Sequence, residues 1–486
     1  MQKGILFFIL LFTGFISSAQ LRLPALVSSG MVLQRDQPVK IWGWNLSGKE
    51  VAVSFNGKIY KTTPDKDTKW FVTLDAMQAG GPYDINITTD NQSIVIKDIL
   101  FGDVWLCSGQ SNMTLAMSSL SEREADDIAQ SANPHIREFQ VKKQYSFEPQ
   151  ENTVGQWKEA NPVNVLKFSA VGYYMAKALY EKYNVPIGII HSSWGGTPAE
   201  AWTSPAGLRE FPHYAEKYNY LRDTVNLKAT LERSEQNNDN SFKVHYQPAT
   251  LFNAMIYPLI PYTLKGIAWY QGEANAKKDK AIEYTTLLPA LIHGWRDNWQ
   301  QGDIPFLIVQ LANYMAPQKN PSEGGWAWIR EAQLKVFQTV PNTALTVAID
   351  VGEANDIHPL NKKEVGRRLA LAAEKTAYND KSVVHSGPMY RSMKKEDGKI
   401  VLSFTDIGSG LIAQGGELTR FAIAGNDKKF VWASAKIEGD RVFVWNDDIK
   451  DPVAVRYAWA SNPEGGNLYN KEGLPASPFR TDDWER

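Results

Sequence analysis

The segment CSGQSNM, residues 107–113, places two serines around a Gly-Gln pair directly after the apolar run ILFGDVWL. Gly, Ser and Asn are ordinary turn residues between a strand and a helix, so a purely structural role is one interpretation. The other is nucleophilic catalysis, in which a serine hydroxyl attacks a carbonyl with help from a histidine base, an orienting carboxylate and oxyanion donors. The second interpretation requires those partners elsewhere in the chain.

Two of the seven histidines follow apolar runs typical of strands. His191 follows VPIGII, and His358 lies in DVGEANDIHP with Asp356 two residues before it. Side chains two residues apart lie on the same face of an extended segment, so Asp356 is the first candidate to orient His358. Asp350, at the end of ALTVAID, is the reserve candidate.

The elements that must position these residues lie between residues 100 and 379. Apolar runs such as DVWLCSG, VPIGIIHSS and LKGIAWYQG alternate there with helical stretches. This alternation predicts an α/β domain with a parallel sheet covered on both faces. Ligands bind such sheets outside the carboxyl ends of the strands. We therefore expect SGQSNM, HSSWGGTPAE, QGEAN and DVGEANDIHP to form one site.

The flanking regions, 20–99 and 380–486, show short alternating runs separated by turn signals, which is typical of β-sandwich-like regions. In the first region, Asn56-Gly57 predicts a hairpin turn. Residues 205–250 are polar and charged, and we expect them to form a helical excursion from the central domain.

The first 19 residues predict a signal peptide and export of the protein to the periplasm or beyond. Lys3 precedes an apolar run from Ile5 to Phe12, and small residues follow at positions 17–19. This run is too short to span a bilayer, and no later stretch is apolar enough to do so.

Composition excludes several classes of function. The single cysteine, Cys107, excludes a disulfide framework and a multi-cysteine metal site, and we expect it to be a small buried hydrophobe. A net charge of −1 gives no electrostatic footprint for nucleic acid or an anionic membrane. The partner is therefore expected to be neutral or small.

Other catalytic motifs fail on inspection. Met113 stands where a G-x-S-x-G nucleophile elbow needs glycine, and SWGGTPAE lacks the lysine of a P-loop. GSGLIA at 408–413 lies in the late β region without a predicted helix after it, so it is not a dinucleotide fingerprint. His191 and His358 without a defined ligand spacing are weak evidence for a metal.

Three segments, LCSGQSNM, WYQGEAN and DIHPLNKKEVGRRLA, together resemble the sialate O-acetylesterase family of SGNH-type hydrolases. The resemblance extends to SSGMVLQRDQPVKIWGW, LFNAMIYPL and EGLPASPFRTDDW, and so covers essentially the whole mature chain. It implies an SGNH-type α/β hydrolase domain at 100–379 that hydrolyses an O-acetyl ester on a sugar, with no metal and no cofactor.

The resemblance also assigns roles to residues. Ser111, rather than Ser108, matches the nucleophile, and His358 matches the general base. The oxyanion hole implied by the resemblance draws on a backbone N–H and a side chain, with the candidates Gly195, Gly196, Gln271 and Asn275.

The sequence departs from the wider SGNH pattern in each block. It has Gly-Gln-Ser where the pattern usually has Gly-Asp-Ser, and Asn275 stands three residues after Gly272 instead of two. Asn355 stands where the pattern places the aspartate three residues before the histidine.

Several alternatives remain open at this level. Sialic acid is the first choice of sugar on resemblance alone, and acetylated xylan or xyloglucan would also suit a neutral, aromatic-rich site. A hypothesis from another class is a non-catalytic carbohydrate-binding protein in which the flanking β regions bind the glycan. The combination of Ser111, His358 and Asp356 argues against that hypothesis.

Overall fold

A computed structural model describes residues 21–484 of the chain. The predicted signal peptide, residues 1–19, lies outside the described residues. Within the described range, none of the helices is both long enough and apolar enough to cross a membrane.

The N-terminal region is built from strands. They are β1 (Val32–Gln34), β2 (Val39–Trp44), β3 (Val51–Phe55), β4 (Lys58–Thr62), β5 (Lys69–Leu74) and β6 (Gly80–Thr88). In β5, buried and exposed residues alternate strictly, because only one face of the strand meets the core. Asn56 and Gly57 join β3 to β4, with Phe55 paired opposite Lys58, so the predicted hairpin is confirmed.

One long strand, β7 (Ser93–Gly109), connects this region to the central sheet. Between residues 93 and 101 it pairs antiparallel with β6, residues 100–102 pair in parallel with β1, and residues 103–109 pair in parallel with the central sheet. The predicted boundary between residues 99 and 100 therefore falls inside a continuous strand. From Leu100 to Gly109 every residue is buried, which explains the largely apolar run in the sequence.

The central sheet adds six further strands. They are β8 (Asn133–Gln140), β9 (Trp157–Ala160), β10 (Ile187–Ser193), β11 (Gly266–Tyr270), β12 (Phe306–Val309) and β13 (Thr343–Thr346). The order is β13-β12-β11-β7-β10-β8-β9, with parallel pairing from β13 to β8. The prediction of a parallel sheet needs one correction, because β9 pairs antiparallel with β8 and β6 with β7, which makes the whole sheet mixed.

The helices of the described range lie between and beside these strands. They are α1 (Ser111–Thr114), α2 (Ala125–Ala129), α3 (Ala170–Tyr183), α4 (Ala199–Trp202), α5 (Pro212–Arg222), α6 (Thr224–Gln236), α7 (Lys278–Trp299), α8 (Gly325–Thr339) and α9 (Lys362–Thr376). Helices α5 and α6 confirm the predicted helical excursion. Helices α3 and α9 pack closely, since a Cβ on Gly366 would lie 2.5 Å from Tyr174 Cβ.

The C-terminal region returns to strands at Met389. They are β14 (Met389–Glu396), β15 (Lys399–Thr405), β16 (Leu411–Ala413), β17 (Phe421–Ala424), β18 (Val431–Trp432), β19 (Ser434–Glu438), β20 (Arg441–Trp445), β21 (Ala454–Tyr457), β22 (Leu468–Asn470) and β23 (Phe479–Arg480). They form two four-stranded sheets, β14-β15-β20-β19 and β18-β17-β21-β23, and the pair β16-β22.

A buried arginine joins this region to the central domain. Arg330, on α8, is fully buried and donates to the carbonyl oxygens of Leu311 and Ala312, which follow β12. The same guanidinium donates to the carbonyls of Ala460 and Ser461 in the C-terminal region. The loop after β12 is thereby fixed against the C-terminal strands.

Candidate active site

Three neighbouring strands of the central sheet end at the same level. Gly109, the last residue of β7, pairs with Ser193 on β10 and with Tyr270 on β11. The loops that begin at Gln110, Trp194 and Gln271 therefore meet at one edge, as the sequence pattern predicts for a parallel sheet.

The turn that presents Ser111 depends on a glycine. Gly109 has φ +131°, and a Cβ there would lie 2.1 Å from the carbonyl oxygen of Tyr270, so only glycine fits. Gln110 donates its backbone N–H to Tyr270 O at 3.0 Å, and its Oε1 accepts from the N–H of Ala274 at 3.2 Å. These bonds hold Ser111, the first residue of α1, at the end of the strand.

The two serines of this segment differ in access. Ser108 is fully buried inside β7, whereas Ser111 is partly exposed. Cys107 is also fully buried, as predicted, and burial raises the pKa of its thiol, which keeps it protonated and unreactive. Of these three side chains, only Ser111 can reach a substrate.

His358 and Asp356 lie side by side in the loop after β13. His358 Nδ1 is 3.8 Å from Asp356 Oδ1, and the backbone N–H of His358 donates to the same oxygen at 2.7 Å. The imidazole is about one third exposed, with 37% of its side chain accessible. Partial burial lowers the pKa of His358, Asp356 partly offsets this effect, and the charge of Lys362 adds to it. A lowered pKa favours the neutral imidazole that a general base requires.

Asp350, the reserve candidate, is engaged elsewhere. Its carboxylate accepts two hydrogen bonds from Arg368, both at 2.7 Å, and a third from Tyr469 Oη at 3.1 Å. Of the two candidate aspartates, only Asp356 contacts His358.

Asn112 connects the serine turn to the histidine loop. Its Nδ2 donates to the carbonyl of Ile357 at 3.0 Å, so the residue after Ser111 is bonded to the residue before His358. In the described chain no hydrogen bond joins the Ser111 hydroxyl to the His358 imidazole itself. Such catalytic bonds often tighten only when a substrate is bound.

The two glycine candidates occupy different places. A Cβ on Gly195 would lie 3.2 Å from Ser111 Cβ, so the backbone of Gly195 directly adjoins the candidate nucleophile. Gly196, at φ +76°, instead faces Tyr246, where a Cβ would lie 2.6 Å from Oη. The structure brings Gly195 to Ser111 and uses Gly196 to make the turn.

Gln271 and Asn275, the two side-chain candidates for the oxyanion hole, are both buried and already bonded internally. Gln271 Nε2 donates to the carbonyl of Thr197 at 3.3 Å and to Asn275 Oδ1 at 2.7 Å. Asn275 Nδ2 donates to Glu200 Oε2 at 2.9 Å. Both amide hydrogens of Gln271 are thus engaged and one N–H of Asn275 donates to Glu200, and the oxyanion role of these two side chains stays a prediction. Together they brace the loop after β10.

His191, the other histidine after a strand, belongs to a buried polar chain. Its Nε2 lies 2.6 Å from Ser193 Oγ, and its Nδ1 lies 3.3 Å from Glu138 Oε1. Ser193 Oγ is in turn 2.8 Å from Thr114 Oγ1 on α1. The side chains of Glu138, His191 and Ser193 are all buried, so this hydrogen-bonded network supports α1 from inside the protein.

No cluster of metal-ligating side chains occurs between residues 21 and 484.

The sequence motifs did not reveal two further residues of the site, Lys362 and Glu273. Lys362 Nζ donates to Asn112 Oδ1 at 2.5 Å, and Asn112 Nδ2 donates to Glu273 Oε1 at 2.5 Å. Lys362 lies in DIHPLNKKEVGRRLA and Glu273 in WYQGEAN. Their nearness in sequence to His358 and Gln271 is the signal that could have indicated a role in the site.

A partly exposed serine at a strand-to-helix turn, adjoined by a backbone glycine and tied to a histidine–aspartate loop, defines a serine hydrolase. Comparison with known proteins gives the family. Residues 101–375 match the family described as "Carbohydrate esterase, sialic acid-specific acetylesterase", and the chain belongs to this family.

Similar proteins cover nearly the whole chain. The sialate O-acetylesterase of Mus musculus is 31% identical over 94% of this chain and 94% of its own length. The sialate O-acetylesterase of Homo sapiens is 30% identical over 94% of this chain and 92% of its own. The crystal structure of a carbohydrate acetylesterase from Xanthomonas citri superposes with a TM-score of 0.86 at 41% identity, covering 96% of this chain and 100% of that one.

Proposed function

We propose that Ser111, His358 and Asp356 form the catalytic triad of an SGNH-type hydrolase that removes acetyl groups from sugars. The protein is a carbohydrate O-acetylesterase by its family membership, and the proposed triad makes it one of the serine type. The observation that carries the residue assignment is the Asn112 bond to Ile357 O, since it holds the serine turn beside the histidine loop.

The reaction follows from these side chains. His358 takes the proton of Ser111 Oγ, and the oxygen attacks the acetyl carbonyl to form a tetrahedral oxyanion. Collapse breaks the ester C–O bond, and the sugar oxygen leaves with the proton from His358. Water, deprotonated by His358, then attacks the acetyl-serine; the bond between the acetyl carbon and Ser111 Oγ breaks, His358 returns the proton to Oγ, and acetate is released. No step needs a metal or a redox cofactor.

The backbone N–H of Gly195 is our proposed oxyanion donor. Its support is the close approach of Gly195 to Ser111, and the bracing of this loop by buried Asn275, whose Oδ1 accepts from the N–H of Ala199 at 2.9 Å. A donor fixed in advance stabilises the developing charge without reorganisation during the reaction.

An O-acetylated sialic acid is our first choice of substrate, supported by the names of the mouse and human relatives. The Xanthomonas neighbour is named only as a carbohydrate acetylesterase, so acetylated xylan or xyloglucan remains the second candidate. Acetate release from O-acetylated sialic acid and from acetylated xylan should be compared at equal ester concentration. A higher kcat/KM on sialic acid supports the first choice, and the reverse result replaces it with the polysaccharide.

Activity itself separates the enzyme from a carbohydrate-binding protein. We expect release of p-nitrophenol from p-nitrophenyl acetate and very little from the decanoate ester, because an acetyl group needs only a small acyl pocket. Equal rates on the two esters would contradict a carbohydrate esterase, and no release from either would favour the binding protein.

We also propose that the protein is exported, on the basis of the apolar leader in residues 1–19. Sequencing the N-terminus of the protein from its native host should give a start near Gln20. Recovery of a chain that retains Met1 would contradict export through this signal.

A further inference from the structure

A fully buried lysine lies next to the proposed triad. Lys362 is the first residue of α9, and no part of its side chain is accessible to solvent. Lysine is almost never buried to this degree without a partner, because transferring an ammonium group from water into the protein interior carries a large desolvation penalty. A specific set of contacts must therefore hold it.

Those contacts join three segments of the site. Lys362 Nζ donates to Asn112 Oδ1 at 2.5 Å, and lies 5.6 Å from the centre of the Tyr270 ring. Asn112 passes the link on, with Nδ2 donating to Glu273 Oε1 at 2.5 Å and to Ile357 O at 3.0 Å. One amide thus bridges a buried ammonium, a carboxylate and the backbone of the histidine loop.

The bridge accounts for every polar atom of the Asn112 side chain. Its oxygen accepts from Lys362, and its two N–H groups point to Glu273 and Ile357. The ammonium fixes which end of the amide faces which partner, because an ammonium can only donate. Asn112 follows Ser111 directly, so its orientation sets the position of the nucleophile relative to His358.

We propose that Lys362 is a positioning residue of the esterase, whose ammonium acts through Asn112 to hold the Ser111 turn against the His358 loop. This inference rests on the proposed roles of Ser111 and His358. It assigns to Lys362 two effects, one geometric and one electrostatic.

The electrostatic effect concerns the charge on the base. Burial lowers the pKa of Lys362 to about 7, against the opposing attraction of Glu273, Asp356 and Glu353. While it is protonated, Lys362 disfavours a second positive charge on His358 and so lowers the pKa of the imidazole, whereas Asp356 raises it. The general base is active when neutral, so the acidic limb of the profile of kcat/KM against pH lies at the pKa of His358. Removing the lysine charge should raise that pKa and move the limb to higher pH.

Two substitutions separate the effects. Lys362→Gln keeps an N–H donor near Asn112 but removes the charge, and Lys362→Met removes both. We expect the acidic limb of the kcat/KM profile to move to higher pH in both variants. We expect kcat on p-nitrophenyl acetate to fall by about 10²-fold in Lys362→Met, the cost of a misplaced catalytic group, with KM little changed. Lys362→Gln should lose less.

The matched control is the next residue. Lys363 is more than half exposed and pairs with Asp127 at 2.6 Å, outside the bridge. Lys363→Met removes a lysine from the same turn of α9 and should leave both kcat and the acidic limb at wild-type values. Circular dichroism and a thermal melt establish that each variant is folded.

The outcomes are distinct. Wild-type kcat in a folded Lys362→Met, or an unmoved limb in Lys362→Gln, would overturn the proposal. If Lys362→Met does not fold, the position of the acidic limb in the kcat/KM profile of Lys362→Gln alone decides whether the proposal holds. Ser111→Ala is assayed in parallel, because full activity in that variant would instead refute the triad on which the inference depends.

Discussion

Asp350→Asn tests which aspartate orients His358, because the carboxylate of Asp350 binds other side chains in the structure. Its carboxylate accepts two hydrogen bonds from Arg368, at 2.7 Å each, and one from Tyr469 at 3.1 Å. Only 5% of the Arg368 side chain and 18% of the Asp350 side chain are exposed. The substitution therefore leaves a buried guanidinium facing an amide N–H₂ group. We expect a loss of stability with little loss of turnover.

The magnitude follows from the partners that remain. Removing one member of a buried ion pair costs about 3 to 5 kcal/mol. Arg368 keeps Glu364, which accepts from Nε at 2.7 Å, and the carbonyl of Val347, also at 2.7 Å. With these bonds intact, we expect the free energy of unfolding to fall by about 2 to 3 kcal/mol, near the value of hydrogen bonds to a charged group.

The assay measures stability and catalysis on the same samples. Thermal unfolding gives the change in Tm, and p-nitrophenyl acetate gives kcat and KM below the melting range. Asp75→Asn is a matched control, because Asp75 pairs with Lys58 at 2.6 Å on the exposed surface and should change neither quantity appreciably. A fall in kcat of several orders of magnitude at unchanged Tm would transfer the orienting role to Asp350.

Three further substitutions test the site. Asp356→Asn should lower kcat by orders of magnitude; the equivalent change in the serine protease triad costs about 10⁴-fold. It should also move the acidic limb of the kcat/KM profile to lower pH, because the Asp356 carboxylate raises the pKa of His358. An unchanged pH profile would remove Asp356 from the triad. Gly195→Ala keeps the backbone N–H but should lower kcat by about 10²-fold, because the added Cβ would lie 3.2 Å from Ser111 Cβ and displace the nucleophile; wild-type kcat would contradict the close approach on which the donor assignment rests. Ser108→Ala should keep most of the activity because Ser108 is buried, and an inactive folded variant would contradict that.

Much of the scaffold could be predicted from local patterns. The Asn56-Gly57 hairpin and the burial of Cys107 depend on turn chemistry and on an apolar run, and both are confirmed. The meeting of loops at Gly109 follows from parallel pairing of adjacent strands. Strand β7 could not be foreseen as one element, because a change in sequence texture at residue 100 marks a change of partner strands and does not end the strand.

The hydrogen-bond partners of side chains inside the site could not be predicted from the sequence. Gln271 and Asn275 have the right chemistry for oxyanion donors, but their buried hydrogen bonds to Thr197 and Glu200 depend on tertiary contacts that no local pattern indicates. Lys362 was missed for the opposite reason, because lysine in the first turn of an amphipathic helix predicts a solvated side chain. The fold instead buries it against Asn112, 250 positions earlier in the chain. Such long-range contacts leave no periodic pattern.

The central claim is that Ser111 carries the acetyl group during the reaction. The most direct measurement is mass spectrometry of the peptide containing Ser111 after labelling with a serine-reactive organophosphate, in the wild-type protein and in Ser111→Ala. We predict stoichiometric labelling of Ser111 with parallel loss of esterase activity, and neither label nor activity in a folded Ser111→Ala. Full turnover by Ser111→Ala, or label on another serine with loss of activity, would contradict the account.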